Sequence, residues 1–158
     1  MSSHFVTVTI NGVEYEREVE ARKLLIHFVR DDLDLTGSHI GCDTGNCGAC
    51  SMIVDGTLVK SCMMLAVQAD GATIETVEGL ADGDQLSPLQ QSFSEHHALQ
   101  CGYCTPGMLM SATALLRDNP SPSEDEIRKA LQGNICRCTG YWNIFKAVKA
   151  ASGQEVGE

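Results

Sequence analysis

Two short stretches, each carrying a close pair of cysteines, constrain this chain more than any other feature. One reads Leu99-Gln100-Cys101-Gly102-Tyr103-Cys104-Thr105-Pro106, and the other reads Asn134-Ile135-Cys136-Arg137-Cys138-Thr139-Gly140. In each, a Thr, then Pro or Gly, and then a helical pattern follow the cysteines, which predicts Thr105 and Thr139 as N-caps. Unpaired N–H groups and the positive dipole end stabilise anions at a helix N-terminus. Four thiolates are strongly anionic, so we expect the two half-sites to form one four-thiolate metal centre.

A second set of four cysteines lies earlier in the chain, at positions 42, 47, 50 and 62. The spacing C-x4-C-x2-C followed by a distant fourth cysteine is typical of plant-type ferredoxins, which bind a [2Fe–2S] cluster. Three glycines, Gly41, Gly45 and Gly48, alternate with the first three cysteines. They predict a loop that curls so that backbone N–H groups point at sulfur.

Zinc and disulfide bonds are the alternatives to iron–sulfur clusters. Disulfides are disfavoured by the neighbouring thiols of Cys136 and Cys138 and by the compartment we expect, the reducing cytosol. The stretch Met1-Ser2-Ser3-His4 leads directly into a strand pattern without a charged and then apolar leader, and no long apolar run follows. We therefore expect a cytoplasmic protein without a transmembrane segment. Structural zinc bound by four cysteines stays open as a different class, a structural or interaction module.

The hydrophobic patterns change from strand-like to helical at a polar segment, residues 78–84. Before it, alternating residues flank Asn11-Gly12 and Asp55-Gly56, which predicts two hairpins, with a short helix over 22–30 and a further strand over 72–77. After it, four helices are predicted to begin after Ser87, after Cys104, at the capping box of residues 123–126, and near Gly140. These elements predict an α+β chain with domains at 1–79 and 80–158.

The charge of the chain argues against nucleic acid as a partner. Acidic residues number 21 and basic residues 11, for a net charge of −10, whereas nucleic-acid binding depends on Lys and Arg that neutralise phosphates. The histidines, including His27 and His39, and the methionines near Cys104, such as Met108, are predicted to be packed or exposed side chains rather than ligands.

Residues 41–62 and 99–142 together resemble the iron–sulfur subunit of the molybdenum hydroxylases, a family that includes xanthine dehydrogenases, aldehyde oxidoreductases and carbon monoxide dehydrogenases. The resemblance covers roughly residues 4–152 and keeps the order of the family's motifs. It implies a β-grasp, plant-type ferredoxin-like N-terminal domain and a four-helix C-terminal domain, with one [2Fe–2S] cluster bound to each.

The resemblance also implies ligands, partners and a role. The cluster nearer a flavin would be bound by Cys42, Cys47, Cys50 and Cys62. The cluster nearer a molybdopterin cytosine dinucleotide would be bound by Cys101, Cys104, Cys136 and Cys138. Gln100 matches the glutamine that contacts the pterin, and Cys138 matches the ligand closest to it. The implied assembly is a dimer of heterotrimers with a large molybdenum-binding subunit and a medium FAD-binding subunit, in which this chain relays electrons from molybdenum to FAD.

Within the family, three segments are most similar to the small subunit of aerobic carbon monoxide dehydrogenases: residues 24–28, 35–44 and 59–62. This similarity predicts that the whole enzyme oxidises carbon monoxide with water to carbon dioxide, two electrons and two protons. Oxidation of an aldehyde or an N-heterocycle is the alternative.

Overall fold

Two hairpins and one parallel pairing build the sheet of the N-terminal half in the computed structural model, which describes residues 2–157. The first hairpin pairs β1 (Ser3–Ile10) with β2 (Val13–Glu20), and the second pairs β3 (Ser51–Val54) with β4 (Thr57–Lys60). Strand β5 (Thr73–Glu75) lies between them, parallel to β1 and antiparallel to β3. The strand order is therefore β2-β1-β5-β3-β4, and the sheet is mixed, with both predicted hairpins confirmed.

The helix predicted over residues 22–30 is shorter and less regular than its pattern suggests. One α-helical turn, α1 (Leu25–His27), continues as a π-helical turn over Phe28–Asp32. The helix starts late because the preceding backbone pairs elsewhere: Leu25 N–H donates to Met64 C=O, and Ala66 N–H donates to Lys23 C=O, each at 2.8 Å. Helical geometry is thus excluded before Leu25 by a contact with residues distant in the sequence.

Four helices form the C-terminal half, as predicted: α2 (Pro88–Glu95), α3 (Thr105–Asp118), α4 (Glu124–Leu131) and α5 (Trp142–Ala151). Capping boxes start two of them, Ser87 with Gln90 at α2 and Ser123 with Glu126 at α4. In a capping box the two side chains satisfy N–H groups that would otherwise lack partners, which fixes where the helix begins.

The two threonine caps predicted beside the cysteines are wrong. Thr105 is the first residue of α3, and Cys104 occupies the N-cap position. Helix α5 begins only at Trp142, because Tyr141 has a φ of 71° and interrupts the helix. Thr139, Cys136 and Cys138 therefore lie in the loop before α5, and only Cys104 adjoins a helix N-terminus directly.

Each half has its own hydrophobic core. The first lies between the sheet and α1, around Phe28, Met52 and Ile74. The second lies among the four helices, around Phe93, Met108 and Ile127. Val77 and Leu80, in the 3₁₀ turn that links the halves, pack against the second core. The exact boundary at 79/80 stays a prediction, and its outer limits, Met1 and Glu158, lie outside the described residues.

Across residues 2–157, none of the helices has both the length and the apolar character needed to cross a bilayer.

Candidate metal centres

The loop of the first cysteine set wraps its backbone around one sulfur. Three N–H groups donate to Cys42 Sγ: Thr44 at 3.4 Å, Asn46 at 3.3 Å and Cys47 at 3.3 Å. The Thr44 hydroxyl and the N–H groups of Cys47, Thr44 and Asn46 lower the pKa of the Cys42 thiol to about 6. Hydrogen bonds to the charged form favour that form, so this loop favours the thiolate form of Cys42, the form that binds metal. The curled loop expected from the three glycines is confirmed.

The deeper half of this set is formed by Cys50 and Cys62, which have exposed fractions of 2% and 4%. Burial raises the pKa of Cys62 to about 11, with further contributions from a hydrogen bond to the Cys50 thiol and from the charges of Cys50 and Cys42. These thiols are therefore close enough to repel each other when ionised. A bound cation would remove this repulsion.

The second set, like the first, has two cysteines that are more buried than the other two. Burial raises the pKa of Cys104 to about 12, followed by a hydrogen bond to Cys136 and the charges of Cys136 and Cys101. Cys136 is buried, whereas Cys101 and Cys138 are exposed. The N–H of Tyr103 donates to Cys101 Sγ at 3.5 Å. The cysteines of the two predicted half-sites are thus brought together.

Thr139, which does not cap a helix, lies against a sulfur instead. Its Oγ1 is 3.1 Å from Cys136 Sγ, and its N–H donates to the same sulfur at 3.5 Å. Tyr141 N–H donates to Thr139 Oγ1 at 3.1 Å, so the hydroxyl proton of Thr139 is free to point at Cys136 Sγ. Tyr141 OH in turn accepts from Cys136 N–H at 3.0 Å. Burial raises the pKa of Cys136, but the hydrogen bonds from Thr139, Cys138 and Cys104 together outweigh burial and lower it overall.

The donor geometry fits a two-iron core in each set. All eight cysteines fall within the described residues and are free thiols. Within residues 2–157, no three His, Cys, Asp or Glu side chains are grouped to hold a single metal ion. The thiols instead make close pairs, Cys50 with Cys62 and Cys104 with Cys136. A [2Fe–2S] core divides four cysteines between two irons, so each of these close thiol pairs could supply both protein ligands of one iron.

Thr105, the residue after Cys104, has a buried hydroxyl group that also fits a cluster bound at the second set. Its hydroxyl oxygen is buried and has no hydrogen-bond partner among the described residues. Buried polar groups are nearly always paired, so a hydroxyl left unpaired beside a thiol cluster fits a site whose sulfide or thiolate would accept its proton.

The loop of the first cysteine set touches both loops of the second set, which the sequence patterns did not predict. Ile135 N–H donates to Cys47 C=O at 2.9 Å. Tyr103 stacks on His39 with ring centroids 4.6 Å apart, and its hydroxyl donates to Ile40 C=O at 2.6 Å. His39 is thus a packed side chain, as predicted, but it packs across the two domains. Tyr103, an aromatic residue between two cysteines, is a sequence signal that could have indicated this contact.

Gln100 is exposed in the structure, as are its neighbours Leu99 and Cys101. Exposed apolar side chains continue around the second set at Tyr103, Ile135 and Trp142, with exposed fractions of 50%, 53% and 53%. The second cysteine set therefore lies at a surface that is partly apolar, and Gln100 and Cys138 are accessible there.

Comparison with known sequences identifies both halves. Residues 8–86 match the family described as 2Fe-2S iron-sulfur cluster binding domain, and residues 76–149 match the family described as [2Fe-2S] binding domain. The expected order of domains and the α+β fold class are confirmed.

Several relatives match along almost their whole length. The chain is 54% identical to the nicotine 6-hydroxylase small subunit of Paenarthrobacter nicotinovorans over 94% of this chain and 90% of that protein. It is 53% identical to the caffeine dehydrogenase subunit gamma of Pseudomonas sp. strain CBB1, over 96% and 93%. Among solved structures, a chain of quinoline 2-oxidoreductase from Pseudomonas putida 86 superposes with a TM-score of 0.93 at 48% identity, covering 96% of this chain and 94% of that one.

Proposed function

Because the chain belongs to the [2Fe–2S] subunits of the molybdenum hydroxylase family, we propose that it relays electrons from a molybdenum site to a flavin through two clusters. The observation that carries this proposal is the contact between the loops of the two cysteine sets, which brings both sets close together within one chain. A bound [2Fe–2S] core takes up and releases one electron at a time.

The ligands we propose are the two complete sets. Cys42, Cys47, Cys50 and Cys62 hold the cluster on the flavin side. Cys101, Cys104, Cys136 and Cys138 hold the cluster on the molybdenum side. The thiol pairs and the N–H groups aimed at Cys42 support these sets.

The partners we propose follow from the family and from the surface of the second set. A large subunit with molybdopterin cytosine dinucleotide would cover the exposed apolar side chains around Cys138, and Gln100 would contact the pterin there. A medium subunit would carry FAD near the first set, and two such heterotrimers would form the assembly. The proposed compartment is the cytoplasm, where the eight free thiols would stay reduced until they bind iron.

For the substrate of the whole enzyme, we favour an N-heterocycle. Nicotine, caffeine and quinoline, the compounds named in the three relatives above, are all N-heterocycles. Carbon monoxide stays a prediction from local similarity, and the names of these relatives do not support it. Since the substrate site belongs to the large subunit, this chain contributes the position and potential of the clusters.

Iron and acid-labile sulfide assays on the anaerobically purified chain test the proposal. We expect two irons and two sulfides at each cysteine set, a brown absorption spectrum bleached by dithionite, and two separate EPR signals after reduction. A colourless protein containing stoichiometric zinc would refute electron transfer and support a structural module instead.

The substrate is tested separately, on the complete complex. We expect an N-heterocycle such as quinoline to reduce both clusters and the flavin, while carbon monoxide does not. Reduction by carbon monoxide alone would restore the prediction made from the sequence.

A further inference from the structure

The loop that carries Cys47 and the loop that carries Cys136 meet through a pair of hydrogen bonds, which we call the inter-loop bridge. In it, Ile135 N–H donates to Cys47 C=O at 2.9 Å, and Asn134 Nδ2 donates to Gly48 C=O at 3.1 Å. Cys47 is a proposed ligand of the first cluster, and Ile135 directly precedes Cys136, a proposed ligand of the second. The bridge therefore connects one ligand of each cluster.

Asn134 is held in place from its other side by helix α3. Ser111 Oγ donates to Asn134 Oδ1 at 2.8 Å. Both side chains are buried, with exposed fractions of 2% for Ser111 and 5% for Asn134. Because the amide oxygen accepts from Ser111 while the amide nitrogen donates to Gly48, the orientation of the Asn134 side chain is fixed at both ends.

Close backbone packing surrounds the bridge. Gly48 has a φ of 72°, and a Cβ there would lie 2.5 Å from Gly133 O. A Cβ on Gly107 of α3 would lie 2.1 Å from Gly48 O. The loop of the first set is thus in direct contact with α3 and with the loop of the second set, and small shifts of Asn134 must be transmitted to it.

We propose that Asn134, anchored by Ser111, is a positioning residue for electron transfer between the two clusters. This inference rests on the proposed function. By holding Gly48, Asn134 holds the hydrogen bond from Ile135 to the adjacent Cys47. That bond is the one non-covalent step on a route that otherwise follows covalent bonds from Cys136 Sγ to Cys47 Sγ.

Along this route one electron would pass from a cluster held by the second cysteine set to a cluster held by the first. No covalent bond forms or breaks, and no proton moves. Tunnelling through a hydrogen bond is faster than tunnelling across an equal gap without one, so lengthening the bond from Ile135 to Cys47 slows the transfer without changing the ligands of either cluster.

The variant that tests the inference is Ser111→Ala, which removes the anchor of Asn134 and leaves all eight cysteines intact. Its matched control is Ser92→Ala in the same domain. Ser92 is also buried, at 5% exposed, and its hydroxyl donates to Ala147 C=O at 2.7 Å, away from the inter-loop bridge. Both substitutions delete one buried serine hydroxyl that donates one hydrogen bond.

Three measurements are made on the full chain loaded with iron and sulfide. Iron and sulfide content and the two EPR signals report whether both clusters are present. The spin–spin interaction between the reduced clusters reports their coupling. The rate at which an electron redistributes after rapid one-electron reduction reports the transfer itself. For Ser111→Ala we expect both clusters, a weaker spin–spin interaction and a severalfold slower redistribution, while Ser92→Ala behaves like the unsubstituted chain.

The inference is overturned if Ser111→Ala holds both clusters and redistributes the electron as fast as the unsubstituted chain, or if Ser92→Ala slows it equally. If the unsubstituted chain does not hold two clusters, the proposed function itself fails and the inference fails with it. Should Ser111→Ala not fold, Asn134→Leu replaces it under the same criteria, because leucine is close to asparagine in size and has no group that can donate to Gly48.

Discussion

Replacing Thr139 should lower the reduction potential of the cluster at the second cysteine set. The Thr139 hydroxyl lies 3.1 Å from Cys136 Sγ, and its oxygen already accepts from Tyr141 N–H. Its proton therefore points toward the sulfur, and the bond becomes stronger when the cluster gains an electron. Thr139→Val removes this donor and keeps the shape of the side chain, whereas Thr139→Ser keeps the donor and loses only a methyl group.

The expected size of the shift follows from the strength of such a bond. A hydrogen bond to a charged group contributes about 1.5–3 kcal/mol, and only the part that differs between the oxidised and reduced cluster changes the potential. Taking about 1 kcal/mol for that part, the potential falls by roughly 40 mV, since a tenfold change in a one-electron equilibrium corresponds to about 59 mV. Hydrogen bonds to sulfur are a recognised determinant of cluster potentials.

A redox titration followed by EPR measures both clusters in one sample. The potential of the second set should fall in Thr139→Val and stay near its original value in Thr139→Ser. The first set is an internal control, because other N–H groups donate to Cys42 Sγ there. Its reduction potential should not change. Equal potentials in the two variants, or a shift of the same size in both clusters, would refute the role assigned to the hydroxyl.

Three further predictions concern the ligands and the contact between the domains. Cys47→Ser and Cys138→Ser should each lose one cluster and about half of the iron, because each changes a different cysteine set; two intact EPR signals in either variant would contradict the ligand sets. The Arg117 hydrogen bonds lower the pKa of Glu75 from its usual 4.5. At pH values above 4.5, this ion pair should therefore stabilise the fold by about 0.2–1 kcal/mol. The contribution should disappear as the pH falls through the folded-state pKa of Glu75. Chemical unfolding at neutral pH measures it, and an Arg117→Met variant as stable as the unsubstituted chain would contradict this prediction. Gly107→Ala should lower stability by about 1–3 kcal/mol through overpacking against the loop of the first set; an unchanged melting temperature would contradict it.

Much of the fold could be predicted because its signals are local. The turns at Asn11-Gly12 and Asp55-Gly56 each close a hairpin in the structure, and the capping boxes at Ser87 and Ser123 each start a helix. In each case the residues that determine the element lie within a few positions of one another, so the pattern contains the whole cause.

The errors arose where a distant contact or an unusual backbone conformation decides the outcome. The first helix begins late because residues 23–25 pair with residues 64–66, and no periodicity within 22–30 reports that pairing. The caps predicted at Thr105 and Thr139 failed because Cys104 takes the N-cap position and Tyr141 has a positive φ. For Thr139 the physical reason is that its hydroxyl is engaged with Cys136 and Tyr141.

The candidate site divides in the same way. The cysteine sets follow from spacing, because ligands of one cluster must lie on loops of suitable length. The side chains that connect the two sets do not follow from spacing. Gly133-Asn134 is typical of a helix stop, yet Asn134 is buried and makes hydrogen bonds with both Ser111 and Gly48. Only the packed structure shows that a residue near the end of α4 also holds the other domain.

The contacts between the domains explain why these two small units act as one. Interfaces between domains of one chain usually permit relative motion. Here, however, Tyr103 and Ile135 bond to the backbone of residues 40 and 47, and each of these segments also carries cysteines. A rotation of one domain against the other would break these bonds and change the separation of the two cysteine sets at the same time. The interface between the domains would therefore also fix the proposed electron route, so substitutions that loosen it should alter electron transfer before they unfold the chain.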